Sequence, residues 1–183
     1  MDAAFAWLSE LVNWFGKFFP RLKIVRKTHE GIAFVHGYRT KHLLPGLVWW
    51  WPLVTEIVVI PVVRQLSHLA PQTLCTKDGR TVVCGGIIIY LVTDIEQYLV
   101  NNEDAAEAIA EISLAVVRSV VVTHTFSEIQ EKRVDIDAIL TMEASRALKD
   151  FGVTVVNMRL SDFAPAFALS LISNSWSESA TIS

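Results

Sequence analysis

The sequence predicts an α+β fold in which an antiparallel-rich sheet is packed by helices and preceded by an amphipathic membrane helix. Three observations carry this reading. Strand-forming runs fill residues 31–92, helical periodicity with caps fills 101–151, and a β-branched run returns at 153–160. Strands, then helices, then a last strand is the segregated order of α+β domains. At 183 residues the chain suits one domain with a sizeable core. An apolar fraction of 52% and a mean hydropathy of +0.39 are high for a soluble domain and too low for a polytopic membrane protein, which points to a globular body with a membrane contact. The formal net charge of -3 provides no basic field for nucleic acid, so nucleic acid is excluded as a partner.

The first element, residues 1–21, reads as a membrane-associating amphipathic segment. On a helix, Trp7, Leu8, Leu11, Val12, Phe15, Phe18 and Phe19 share one face, with Ser9, Asn13 and Gly16 opposite, and Phe5 and Trp14 add to the aromatic density. The run is shorter than the about 20 residues a spanning helix needs, so it suits the plane of the membrane interface. Packing of this helix on the domain is the alternative. Arg21, Lys23, Arg26 and Lys27 follow, a cluster that favours an anionic, cytoplasmic leaflet. The acidic Asp2 precedes the apolar run and no small-residue cleavage site closes it, so no signal peptide is expected.

Gly31–Val35 reads as a strand ending in a His36-Gly37 turn. Leu43–Val63 has the length of a spanning helix, but Pro45, Pro52 and Pro61 interrupt it and Glu56 would lie in hydrocarbon. It reads instead as a Pro45-Gly46 turn, a loop, and a strand over Leu53–Val63. Trp49, Trp50 and Trp51 serve either as a second lipid contact or as core. Gln65–Pro71 connects to a hairpin over Thr73–Val92, whose Asp78-Gly79 pair suits a two-residue type I′ turn and sets Cys75 opposite Val82. In that register Cys75 and Cys84 share a face but sit diagonally, too far apart for easy bridging, and read as reduced core thiols. The apolar run through Ile87–Val92 predicts a strand covered on both faces.

Asn101 to Asp104 open a helix that runs from Ala105 to about Val122, burying Ile109, Ile112, Val116 and Val120 and exposing Glu107 and Glu111. Arg118, in its apolar half, is expected to pair with Glu128 or Asp135. Ser127 and Gln130 have capping-box form. Asp135 is expected to cap a further helix carrying Ile136, Ile139, Leu140, Ala144 and Leu148, ended by Gly152. Val153–Leu160 closes the fold as a strand.

Gly31 before a strand, Pro45-Gly46-Leu47, and Thr76-Lys77-Asp78-Gly79 leading into an apolar strand form a recurring order with the later motifs. Those are Val117-Arg118, Phe126-Ser127-Glu128-Ile129, Arg133, Phe151-Gly152-Val153 and Leu160-Ser161-Asp162. Over roughly Leu22 to Phe163 this order resembles the SPFH or band 7 family of stomatins, prohibitins and flotillins. The resemblance implies an SPFH domain at 22–163 and a membrane-attached scaffold whose copies associate side by side into rings or cages that organise lipids and membrane proteins. It also implies no enzymatic activity. Family members usually continue into a long Ala- and Glu-rich helix, whereas here residues 164–183 hold a short apolar segment and a Ser-rich tail. A shallower ring, or reliance on a longer partner, is the consequence.

No G-x-S-x-G elbow or phosphate-binding Gly-rich loop occurs, and the five His are scattered, so no catalytic site, cofactor or metal is expected. The expected partners are membrane lipids and further copies of the chain, with a membrane protease or other membrane protein as the adaptor alternative. Neighbours in a ring meet through unlike surfaces. Glu107 and Glu111 on one copy, facing Lys132, Arg133, Arg146 and Lys149 on the next, are the interface candidates.

Overall fold

The computed structural model describes residues 20–37, 39–100 and 104–166; the expected membrane helix and the tail from Phe167 lie outside these. Strands β1 (Arg21–Val25), β2 (His29–Val35), β3 (Arg39–Leu43), β4 (Gly46–Trp50), β5 (Thr55–Pro61), β6 (Gln65–Cys75) and β7 (Thr81–Val92) come first. Helices α1 (Ile95–Val100), α2 (Ala105–Thr123), α3 (Phe126–Glu131) and α4 (Arg133–Ala147), a 3₁₀ turn at Lys149–Phe151 and β8 (Val153–Pro165) complete the order. The strands form an antiparallel β1–β4 ribbon, a β3–β2–β5 sheet and a β6–β7–β8 sheet. The α+β expectation therefore holds.

The core lies between β7 and the helices. Val82, Cys84, Ile88, Tyr90 and Val92 of β7, with Met158 and Leu160 of β8, meet Ile109, Val117 and Val121 of α2 and Ile136, Leu140 and Ala144 of α4. The opposite row of β7, Val83, Ile87, Ile89 and Leu91, is only half-buried, so among the described residues β7 is closed on one face rather than two. An apolar row has a continuous run in sequence whether its outer face is packed or merely shielded by neighbouring strands.

The hairpin departs from its expected register by one residue. Gly79 alone takes the left-handed conformation, at φ 78°, while Asp78 keeps a negative φ. Thr76 N–H donates to the Arg80 carbonyl at 2.9 Å, making a three-residue loop, and Cys75 faces Thr81 instead of Val82. A one-residue slip reverses the faces. Cys75 is accordingly exposed and Cys84 buried, both free, and burial pushes the Cys84 thiol up to about 11.

The reason for the longer loop is the Asp78 side chain. Its Oδ1 accepts from Thr76 Oγ1 at 2.6 Å and from the Phe126 amide at 3.1 Å, and Oδ2 pairs with Arg80 at 3.2 Å, so the loop is bolted to the start of α3. Arg80 lies 5.3 Å from the Phe126 ring centroid, and Phe126 stacks on Phe163 at 5.2 Å. The Thr76 hydroxyl, then the Phe126 amide and Arg80, hold the Asp78 carboxyl below its ordinary 3.8. Its folded value is depressed, so its contribution is present at neutral pH and fades as pH falls through the lowered folded value. The melting midpoint of the native chain should exceed that of Asp78→Asn at neutral pH, by a margin that shrinks in acid below 3.8. A margin constant through that range would exclude this linkage.

Other elements correct the sequence reading locally. Gln65–Pro71 is not a connection but the first half of β6. Its register shifts between Leu69 and Gln72, around Pro71, which has no N–H to offer the ladder. The capping box uses Thr125 and Glu128 rather than Ser127 and Gln130: Glu128 N–H donates to Thr125 Oγ1 and Thr125 N–H to Glu128 Oε2. Asp135 lies in the first turn of α4 and does not cap it. Arg118 pairs with neither Glu128 nor Asp135; its guanidinium donates to Gln72 Oε1 at 3.2 Å, and Gln72 Nε2 donates to the Leu114 carbonyl, tying β6 to α2.

The free edge of β8 is sealed by side chains one helical turn apart on α4. Thr141 Oγ1 accepts from the Met158 amide at 3.0 Å, Asp137 Oδ1 from the Leu160 amide at 3.3 Å, and Arg133 donates to the Leu160 carbonyl at 2.8 Å. Spacing of four residues puts all three on one helix face.

Candidate membrane-facing surface

The β1–β4 ribbon presents an apolar face to solvent. In antiparallel pairing, opposed residues share a face and successive residues alternate. Leu22 faces Trp49 and Ile24 faces Leu47, which puts all four on one side, each between 54% and 73% exposed. Leu44, Trp51 and Leu53, beside the ends of β4, are exposed as well. A contiguous group of this kind marks an interaction surface, where singly scattered apolar residues would not.

The other side of the ribbon is turned to the body. Val25 is buried, Val48 and Trp50 half-buried, and Lys23 Nζ donates to the Ile57 carbonyl at 3.3 Å. The structure thus divides the three tryptophans: Trp49 and Trp51 face outward and Trp50 inward. It also divides the basic cluster. Arg21 and Lys23 alternate with the apolar pair, whereas Arg26 and Lys27 sit exposed in the turn between β1 and β2, where His29 N–H donates to the Arg26 carbonyl at 2.9 Å. The contacts expected at Phe5, Trp7, Leu8, Leu11, Val12, Trp14, Phe15, Phe18 and Phe19 lie outside the described residues.

Leu22, Ile24 and Leu47 were not singled out in the sequence. The strict alternation Arg21-Leu22-Lys23-Ile24 is a period-two strand signal, masked by reading the positive charges as one cluster.

The interface candidates separate in the same way. Glu107 and Glu111 are exposed on α2. Arg133 is spent on the β8 edge, and Arg146 pairs within its own helix with Glu143 at 3.1 Å. Lys149 lines a cavity of about 390 Å³ with Asp94, Gln97 and Ser145. No group of three or more His, Cys, Asp or Glu able to hold a metal occurs among the described residues, and no described helix is long and apolar enough to cross a membrane.

The sequence profile described as SPFH domain / Band 7 family matches residues 23–170. The chain belongs to this family. The match takes in the ribbon from Lys23 onward, all three sheets and every described helix. An uncharacterised protein of Methanocaldococcus jannaschii is 24% identical over 142 residues, which are 78% of this chain and 71% of the relative. Stomatin-like protein 3 of Mus musculus is 23% identical over 143 residues, 77% of this chain and 50% of the relative. Stomatin-4 of Caenorhabditis elegans is 24% identical over 144 residues, with 77% and 51% covered. This SPFH-domain chain thus spans about half the length of the stomatin-type relatives.

Proposed function

We propose that this band 7 protein is a membrane-attached scaffold. It lies on one leaflet, at the cytoplasmic face, and self-associates laterally into a ring or cage that organises a membrane patch and its proteins. The observation that carries the membrane part is the exposed face of Leu22, Ile24, Leu47 and Trp49. Leu22 and Ile24 come shortly after Phe5–Phe19, the stretch whose apolar pattern is expected to be amphipathic. Each apolar side chain contributes roughly 1.5–3 kcal/mol on full burial, and each basic residue near an anionic surface about 1 kcal/mol. One copy then binds moderately, and many linked copies bind tightly.

Family membership and the stomatin-type relatives support scaffolding rather than catalysis as the general role. The adaptor reading, in which the same surface docks a membrane protease or another membrane protein, draws on one feature. Lys23 is bonded back to the body rather than aligned with the apolar face.

Flotation with vesicles containing anionic lipid separates the two. Changing Leu22, Ile24, Leu47 and Trp49 to Ser alters exposed positions, so folding should persist while vesicle binding falls at least about tenfold. Trp7→Ser with Leu11→Ser and Phe15→Ser tests the preceding segment in the same assay. Unchanged flotation in the combined variant, with loss of protein partners instead, would replace the membrane reading by the adaptor.

A further inference from the structure

The outer face of the β6–β7–β8 sheet has no cover among the described residues. Its central row is Val83, Ile87, Ile89 and Leu91, all half-buried, and none of the four packs against the core that α2 and α4 close on the other side. Pairing places Leu66, 53% exposed, beside Ile89 and sets His68 and Arg159 on either side of Ile87. Neither base makes a side-chain hydrogen bond or ion pair among the described residues. Asp162 also lies on this face, opposite Gly85, and accepts from Ser161 Oγ at 3.0 Å. An apolar sheet face is ordinarily buried against a second layer, so this one calls for an occupant.

The next stretch of chain starts at the end of this face. Ala164 pairs with Val83, and the Ala166 amide donates to the Thr81 carbonyl at 2.9 Å. Residues 167–176 follow, and six of these ten are apolar while none is charged. Leu169, Ile172 and Trp176 recur at the three- and four-residue spacing of one helix face. Glu178 is the one charged residue between 167 and 183. Ten residues of helix span about 15 Å, and the strand from Val83 to Ile87 spans about 13 Å, so segment and row match in length.

We propose that residues 167–176 turn back from β8 as a short helix and pack on the outer face of their own sheet. Leu169, Ile172 and Trp176 then lie against Val83, Ile87 and Ile89. The direction follows from the starting point: a helix that leaves beside Val83 and returns along the row brings Trp176 to the level of Ile87. Glu178, half a turn further, arrives between His68 and Arg159, so the one charge of the segment meets two bases without partners. β7 thereby gains on its second face the cover that its unbroken apolar run demands. The inference stands apart from the membrane and ring parts of the proposed function, since it concerns a contact within one chain.

Disulfide trapping in the full chain tests it. Cys75→Ser removes the exposed native thiol, while Cys84 is buried and stays out of the exchange. In that background Ile87→Cys with Ser173→Cys should oxidise within one chain, giving a monomer-sized product without reducing agent. Glu178→Lys should slow the cross-link about threefold, and Arg159→Glu added to it should bring the rate back. Leu169→Glu with Ile172→Glu should abolish the cross-link and raise the binding of an apolar dye, with vesicle flotation unchanged. A disulfide that forms only between chains gives the face to a second copy and overturns the proposal, and so does the absence of any cross-link. Loss of flotation in the Leu169 and Ile172 variant assigns the segment to lipid and also overturns it. A slowing that Arg159→Glu fails to reverse overturns the seat of Glu178 between the two bases.

Discussion

Gly152→Ala is expected to lower the melting midpoint by about 6–12 °C, from a cost of about 3 kcal/mol in a chain of this length. Gly152 sits at φ 68°, where a side chain is strained, and its carbonyl accepts both the Thr93 and Asp94 amides at 2.9 Å. A Cβ added there would overlap the Asp94 carbonyl oxygen and press on Gln97 Cβ and the Tyr98 amide, each at 3.0 Å. Two of these neighbours are backbone atoms and the third is a Cβ fixed by the backbone of α1, so none can rotate aside. Gly79 is the internal comparison. It also has a positive φ, but nothing lies within 4 Å of its Cβ position, so Gly79→Ala should cost only the conformational term of about 1–2 kcal/mol. Thermal melting of the two variants side by side decides the matter, and equal shifts would show that close packing at Gly152 adds nothing.

Leu140→Ala is expected to destabilise the domain by about 2–5 kcal/mol, the range for a cavity in a packed core. Leu140 is 0% exposed on the inner face of α4. Met142, two residues on, is 54% exposed, and its truncation should stay within about 0.5 kcal/mol. Urea unfolding of both variants measures the difference. A small effect at Leu140 would mean that the α4 contact with the sheet contributes little, against the burial of Ile136, Leu140 and Ala144 on one stripe.

The helical half of the chain was largely legible because its signals are local. Asp104 caps α2, accepting the Glu107 amide at 3.1 Å, and Gly152 ends the α4 region in the left-handed conformation, both where side-chain type demanded them. The sequence pattern does not show the β1 and β3 strands, the β4 strand where a loop is expected after Pro45-Gly46, or the short α1 helix. Arg39-Thr40-Lys41-His42 reads as polar loop, and only pairing with β2, Gly31 against Leu43 through Val35 against Arg39, makes it a strand. Edge strands carry such residues because their outer side remains in water. The half-burial of Val83, Ile87, Ile89 and Leu91 was hidden for a related reason: hydrophobicity reports the need for cover, not which element provides it.

The sequence by itself determined the α+β order, the family, the centrality of the β7 strand, the α2 helix with its start at Asn101 to Asp104, and Gly152 as a helix terminus. These depend on residue type and on spacings within one element, where 3.6- and two-residue periods and caps act directly. Tertiary structure alone decided the hairpin register, the separation of Cys75 from Cys84, and the Arg118–Gln72 pairing. It also decided which of the tryptophans face outward and which of the basic residues remain unpaired. Each of these turns on a contact across long sequence separation. The Asp78 carboxylate reaching the Phe126 amide, 48 residues away, accompanies a loop one residue longer and so a changed face for the side chains from Gln72 to Cys75, up to the register shift in β6. No local pattern encodes such a reach, because its energy exists only once both segments are in place.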